Sequence, residues 1–148
     1  MVEAGAGDGL DLRFDRARPG NTFDAHRLSH LGLDQGVQTT LEERLLAATF
    51  TEGAAIGDVA VLQDLATEAG LDPDQVKGVL ASDAYAAEVR ADERRATALG
   101  ITAVPFFLFD EKLGVSGAQP PDALLDVLEE AWTASHRPLS SGPERAGV

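Results

Sequence analysis

The apolar stretch Phe106–Phe109 constrains the fold of this chain more than any other feature. Val104 adds a further apolar residue, and the run lies between the turn-forming Gly100 and Asp110. It is too short for an ordinary buried helix and does not alternate, which predicts a central strand of an α/β sheet, covered on both faces. Pro105 cannot donate a ladder hydrogen bond, so we expect it at the first position of the strand.

A second strand and a helix are expected directly afterwards. Residues 111–114 suit a polar turn, Val115–Ala118 a returning strand, and the pair Pro120-Pro121 a helix start. The helix predicted over 122–134 is the most amphipathic in the chain. Its apolar face comprises Leu124, Leu125, Val127, Leu128, Ala131 and Trp132. The order of proline, strand, turn, strand and helix resembles the C-terminal half of a thioredoxin-like unit.

Most of the chain ahead of the strands is predicted to be helical. Residues 2–9 indicate a loop, and the alternation in Leu10–Phe14 favours a short extended segment. The next helices are delimited by caps and apolar spacing, at about 21–33, 39–52, 58–69, 72–81 and 82–99. The helix over 39–52 carries apolar residues on two sides and is expected between two neighbours.

These elements predict four parts of the chain. They are an N-terminal extended segment (1–20), a helical subdomain (21–99), a strand–strand–helix unit (100–135) and a disordered tail (136–148). The helical block is too long for a connection, which indicates an inserted subdomain. The predicted fold class is α/β and mostly helical.

The amino-acid composition limits the classes of partner and the cellular location that are expected. A formal net charge of −13 argues against nucleic acid and anionic membrane surfaces as partners. No stretch approaches the ~20 apolar residues of a membrane span. The start Met1–Gly5 lacks the basic and apolar regions of a signal peptide, so a cytoplasmic location is expected. The chain contains no Cys, which excludes disulfides and thiolate metal sites within it.

Four stretches together resemble one family: residues 21–28, 49–53, 104–107 and 116–119. They are similar to the DsbA-type thioredoxin-fold oxidoreductases, in the FrnE-like branch related to 2-hydroxychromene-2-carboxylate isomerases. The resemblance spans about Leu10 to Trp132. Family members open with a strand, a Cys-x-x-Cys motif at a helix start and a second strand, and nothing here matches that segment. The resemblance therefore implies either a fragment or late-start version, or a remnant that has lost its catalytic end.

The resemblance also implies a binding site. The Val104–Pro105 bond is expected to be cis, with the N–H and C=O of Val104 offered to an extended thiol peptide or glutathione. Gly117, Ala118 and Gln119 correspond to the region that holds the γ-glutamyl end of glutathione in some relatives. A tight strand-to-helix turn explains the same three residues equally well. Asn21 and His26, at a helix start, are expected to face the active-site cleft.

Dithiol–disulfide exchange needs a thiolate, so this chain alone is expected to be an inactive member of an oxidoreductase family. One alternative is a noncatalytic module that binds a thiol peptide or a partner. Another is a relative of glutathione-dependent isomerases acting on an aromatic, polyketide-like substrate. No cofactor is predicted beyond the glutathione that the resemblance allows.

Two further expectations concern metal binding and assembly. His26 and His30 are spaced to lie on one helix face, with Asp34 one turn further on, but no third ligand is evident and no metal site is predicted. The strand Phe106–Phe109 has no obvious neighbour on one side except Leu10–Phe14. Such an edge on an apolar strand predicts self-association.

Overall fold

The computed structural model describes residues 2–136 of the 148 in the chain. They divide into two compact units, the first ending at Arg94 and the second beginning at Arg95, whereas the sequence-based boundary was Gly100. Of the predicted tail over 136–148, only His136 lies within the described residues.

The first unit is helical. Its elements are α1 (Val2–Gly7), α2 (Phe23–Asp34), α3 (Gln38–Ala47), which continues as a π-helical turn (Ala48–Glu52), α4 (Val59–Glu68), α5 (Pro73–Leu80) and the greater part of α6 (Ala86–Ala98). All the predicted helices are present. The prediction of a loop over 2–9 was wrong, because α1 occupies most of it.

The extended segment predicted at Leu10–Phe14 forms no strand. Alternation of apolar and polar residues makes a strand only where a ladder partner exists, and here the backbone has a different neighbour. The N–H of Arg13 donates to the C=O of Phe50 at 2.6 Å. The rings of Phe14 and Phe50 meet edge to face, with their centroids 5.5 Å apart. The segment is thereby attached to the π-helical turn.

Local capping fixes the starts of two helices. A carboxylate oxygen of Asp58 accepts hydrogen bonds from the first turn of α4, and Asp72 does the same for α5. The start of α6 is later than predicted. Tyr85 has a φ of 60°, outside the right-handed helical region, so the helix begins at Ala86 rather than after Ser82 or Asp83.

The core of this unit lies among α2, α3, α4 and α5. Each contributes one of the large side chains that are most completely buried: Leu28, Leu41, Leu62 and Val76. α3 contacts two other helices, α2 and α4, as the expectation of two neighbours requires. The second apolar side is nevertheless incompletely covered, since Leu46 remains 57% exposed.

The second unit contains an antiparallel hairpin and a helix. Strand β1 (Phe106–Phe109) pairs with β2 (Leu113–Ser116), and α7 (Pro121–Ser135) packs on both strands. Pro105 directly precedes β1, one residue before the first strand position at which it was expected. β2 begins two residues earlier than the predicted Val115–Ala118. The reason is the tight turn after β1, where Asp110 and Glu111 have φ values of 49° and 55°.

The prediction that β1 is a central strand covered on both faces was wrong for the described residues. There, the sheet has two strands, and β1 has one neighbour. Phe107 is 37% exposed, and Leu125, Leu128 and Trp132 of α7 are also exposed. An apolar run indicates that a strand can be buried, but it does not supply the covering element. Within residues 2–136, no helix combines the length and apolar character needed to span a membrane.

Candidate functional site

The loop before β1 presents a free backbone edge. The peptide bond between Val104 and Pro105 is cis, the geometry that the family resemblance implied. Val104 is 88% exposed. Its N–H and C=O make no hydrogen bond to any other described residue. An exposed residue with both backbone groups available can pair with an extended chain in the manner of an added strand.

Gly117 fixes this loop from the end of β2. Its N–H donates to the C=O of Pro105 at 2.8 Å, which continues the β1–β2 ladder by one bond. Its φ of 84° lies in the left-handed region, which a glycine adopts without strain. The structure therefore brings together Val104, Pro105 and Gly117, three of the residues expected at the site.

Ala118 and Gln119 connect this turn to α7 and are exposed. The side chain of Gln119 donates from Nε2 to the C=O of Ser116 at 3.1 Å, which closes the turn on itself. This contact is what a tight strand-to-helix turn requires. The first turn of α7 offers the N–H groups of Asp122 and Ala123, since Pro121 has none, and free N–H groups at a helix start favour a carboxylate.

Asn21 and His26 belong to the other unit, where both are exposed. The side chain of Asn21 accepts from the N–H of Phe23 at 2.9 Å, at the first turn of α2. Both residues line a cleft of about 580 Å³ between α2, α3 and the first half of α6. Sequence reasoning did not find the cleft, because α6 is distant from α2 along the chain.

His30 and Asp34 are engaged with α6 and the residue before it. His30 Nε2 lies 2.9 Å from a carboxylate oxygen of Asp92, and its ring stacks on Tyr85. The phenol of Tyr85 donates to Asp34 at 2.7 Å; this hydrogen bond is the main reason that the pKa of Tyr85 is raised, with burial second. No group of three or more metal-ligating side chains occurs among residues 2–136.

Comparison with known proteins agrees with this architecture. Residues 1–129 match the family model of the DSBA-like thioredoxin domain. The fold is also similar to the crystal structure of a probable DsbA oxidoreductase from Streptomyces coelicolor, with 40% sequence identity and a TM-score of 0.84. That match covers 97% of this chain, which spans 59% of the length of the Streptomyces protein. No curated protein matches.

These matches confirm the thioredoxin-like, mostly helical fold class and the resemblance to DsbA proteins, although they do not single out the FrnE-like branch. The chain belongs to the family of DsbA-like thioredoxin domains.

Proposed function

We propose that this chain is the substrate-binding part of a DsbA-like thiol:disulfide oxidoreductase. It holds an extended Cys-containing peptide or glutathione against the backbone of Val104. The observation that carries the proposal is the free N–H and C=O of this highly exposed residue. Such groups give sequence-independent affinity for an extended chain, because main-chain hydrogen bonds do not depend on the side chains of the ligand.

The thiol for exchange comes from outside this chain. A thiolate must attack the substrate disulfide, and a second thiol must resolve the mixed disulfide. The chain has no Cys for either step. By itself it therefore binds without turning over, so the oxidoreductase role and the alternative of a noncatalytic binding module share one site. The two roles differ only in whether a thiol-bearing segment acts beside this site.

The turn after β2 contributes to the same site. Gly117 holds the loop in place, and the start of α7 offers N–H groups to a carboxylate. Glutathione has an extended backbone and a carboxylate at each end. The backbone groups of Val104 and the N–H groups at the start of α7 can therefore bind the same ligand. Gln119 and Ala118 lie between them along the chain. Asn21 and His26 belong to the other unit and are not required for this step.

The binding step is tested by NMR with S-methylglutathione, whose blocked sulfur prevents exchange chemistry. We expect the amide signal of Val104 to shift on titration and its hydrogen exchange to slow, because the N–H gains a partner. Pro105→Ala should weaken the effect by altering the loop. Asp126→Asn, on the exposed face of α7, is the matched control and should leave it unchanged. If millimolar ligand leaves Val104 unshifted, the proposed site is wrong.

The catalytic statement is tested separately by insulin reduction with dithiothreitol. We expect the rate with this chain to equal the uncatalysed background, because no mixed disulfide can form on it. A reproducible rate several-fold above background, with metal-free protein, would contradict the mechanism while leaving the binding result intact.

A further inference from the structure

The cleft beside α2 has two compartments of opposite character. The polar compartment, of about 580 Å³, is lined by residues including Asn21, Gln38 and Asp92. The apolar compartment, of about 370 Å³, is lined by residues including Leu46 and Phe50. Both volumes are in the range of ligand sites in proteins. All of these residues belong to the first unit.

Four side chains with polar groups line both compartments: Thr22, His26, Ser29 and Glu42. An occupant of the apolar compartment is therefore adjacent to hydroxyl, imidazole and carboxylate groups. A ligand that fills both compartments must be amphipathic, with an apolar group directly adjacent to a polar group. We call these shared polar residues the shared wall; they distinguish the cleft from an ordinary apolar groove.

Ser29 supplies a hydroxyl to both compartments. The residue is only 9% exposed, and its hydroxyl makes no hydrogen bond to any other described residue. Among the described residues, no fully buried side-chain nitrogen or oxygen lacks a partner, so this hydroxyl remains accessible. Because Ser29 lines both compartments, a ligand in the cleft can form a hydrogen bond with it.

The charges around the cleft select the sign of the ligand. Asp92 is already bonded to His30, and Glu93 forms an ion pair with Arg90 at 2.7 Å. Glu42 has no ion pair or hydrogen bond within residues 2–136. The carboxylate at the shared wall is therefore uncompensated, on a chain whose formal net charge is −13. Such a site attracts a cation and repels an anion.

We propose that the two compartments together bind a peptide segment in which a large apolar side chain is adjacent to a lysine or arginine. The apolar side chain fills the compartment at Leu46 and Phe50, and the basic group lies near Glu42. Asn21 and Gln38 carry amide side chains that donate and accept, which suits the peptide group between the two. This binding goes beyond the proposed function, since it needs neither a thiol nor Val104.

The proposal is tested by calorimetric titration of the full chain with acetyl-Phe-Lys-amide. Two comparison ligands separate the contributions. Acetyl-Gly-Lys-amide should bind at least about tenfold more weakly, because it leaves the apolar compartment empty. Acetyl-Phe-Glu-amide should bind about fivefold more weakly, because its charge is repelled. Added salt should reduce the difference in affinity between the Lys and Glu ligands, but not the difference between the Phe and Gly ligands.

Matched variants locate the site. Glu42→Gln should weaken acetyl-Phe-Lys-amide by about two- to fivefold and abolish the preference over the Glu ligand. Glu43→Gln, its exposed neighbour on α3 outside both compartments, is the control and should change neither value. Ser29→Ala should weaken both Phe ligands by about fivefold through loss of a hydrogen bond. Circular dichroism confirms that each variant is folded.

The outcomes are decisive and independent of the Val104 site. Pro105→Ala should leave binding of acetyl-Phe-Lys-amide unchanged. Absence of binding at millimolar ligand, equal affinity for the Lys and Glu ligands, or equal effects of Glu42→Gln and Glu43→Gln would each overturn the proposal.

Discussion

At the scale of single residues, Arg27 holds together two stretches that are distant along the chain. Its side chain is almost fully buried, and Nε donates to the C=O of Ala84 at 2.8 Å. Its Nη groups donate to Asp24 and to the carbonyls of Val79 and Ser82. The end of α5 and the turn after it are thereby fixed to α2. Helical periodicity cannot reveal this role, because a charged residue in an amphipathic pattern is expected on the solvated side.

Replacing Arg27 with Met should destabilise the fold by at least about 3 kcal/mol, because three buried or half-buried carbonyls lose their donor at once. The free energy of unfolding from urea denaturation measures the effect. Arg94→Met is the matched control, at an exposed position of α6, and should change stability by no more than about 0.5 kcal/mol. Similar midpoints for the two variants would show that Arg27 is not a structural anchor.

Tyr85 permits a direct test of the contact with Asp34. The folded state raises the pKa of the phenol above its ordinary 10.0, chiefly through the hydrogen bond to Asp34. The associated stability is present below the pKa of the unfolded state and is lost as pH rises through the higher folded value. The chain has one Tyr, so the absorbance of phenolate reports this group alone.

We expect the phenolate of the folded chain to appear at a pH above that of the urea-unfolded chain. Asp34→Asn should bring the folded midpoint closer to the unfolded one, because the charged acceptor is removed. Asp64→Asn, at an exposed position of α4, is the control. Coincident folded and unfolded titrations would contradict the contact.

At the scale of elements, the starts of α4 and α5 could be predicted because their signals are local, whereas α1 and the start of α6 could not. Asp58 caps α4, and Asp72 caps α5 with Pro73 as its first residue, so each signal lies at the start of its own helix. The coverage of β1 could not be predicted, since it depends on elements elsewhere. The same distinction applies to the candidate site. The family resemblance located Val104 and Pro105, but not the bond from Gly117 that fixes their loop.

The cap of α5 gives a quantitative test at this scale. The carboxylate of Asp72 accepts from the N–H groups of Asp74 and Gln75, at 3.0 and 2.9 Å. Asp72→Ala should reduce the free energy of unfolding by about 1 kcal/mol, since two helix-end donors lose their acceptor. Asp74→Ala removes a neighbouring carboxylate that caps nothing and should have a smaller effect. Equal losses would mean that charge near the helix start, rather than the cap, is responsible.

At the scale of the whole molecule, two features have opposite effects on self-association: the high net charge disfavours it, and the open edge of β1 favours it. Repulsion at −13 keeps copies apart at long range, but it is screened beyond ~8 Å at physiological salt. Strand pairing acts at contact. In the described residues, the side of β1 away from β2 has no strand neighbour, and its apolar side chains are half-buried or exposed. Edges of this kind are templates for association.

We propose that purified chains self-associate by pairing at β1, as dimers or soluble aggregates, and that sedimentation at micromolar concentration detects it. Phe107→Lys should shift the population toward monomer, because a lysine on an edge strand disfavours pairing. Leu125→Lys is the matched control: it makes the same charge change at an exposed position of α7, outside the strands. If both variants dissociate alike, net charge or the α7 face is responsible instead of the edge. A monomeric unmodified chain would show that the side of β1 away from β2 is not available to a second copy.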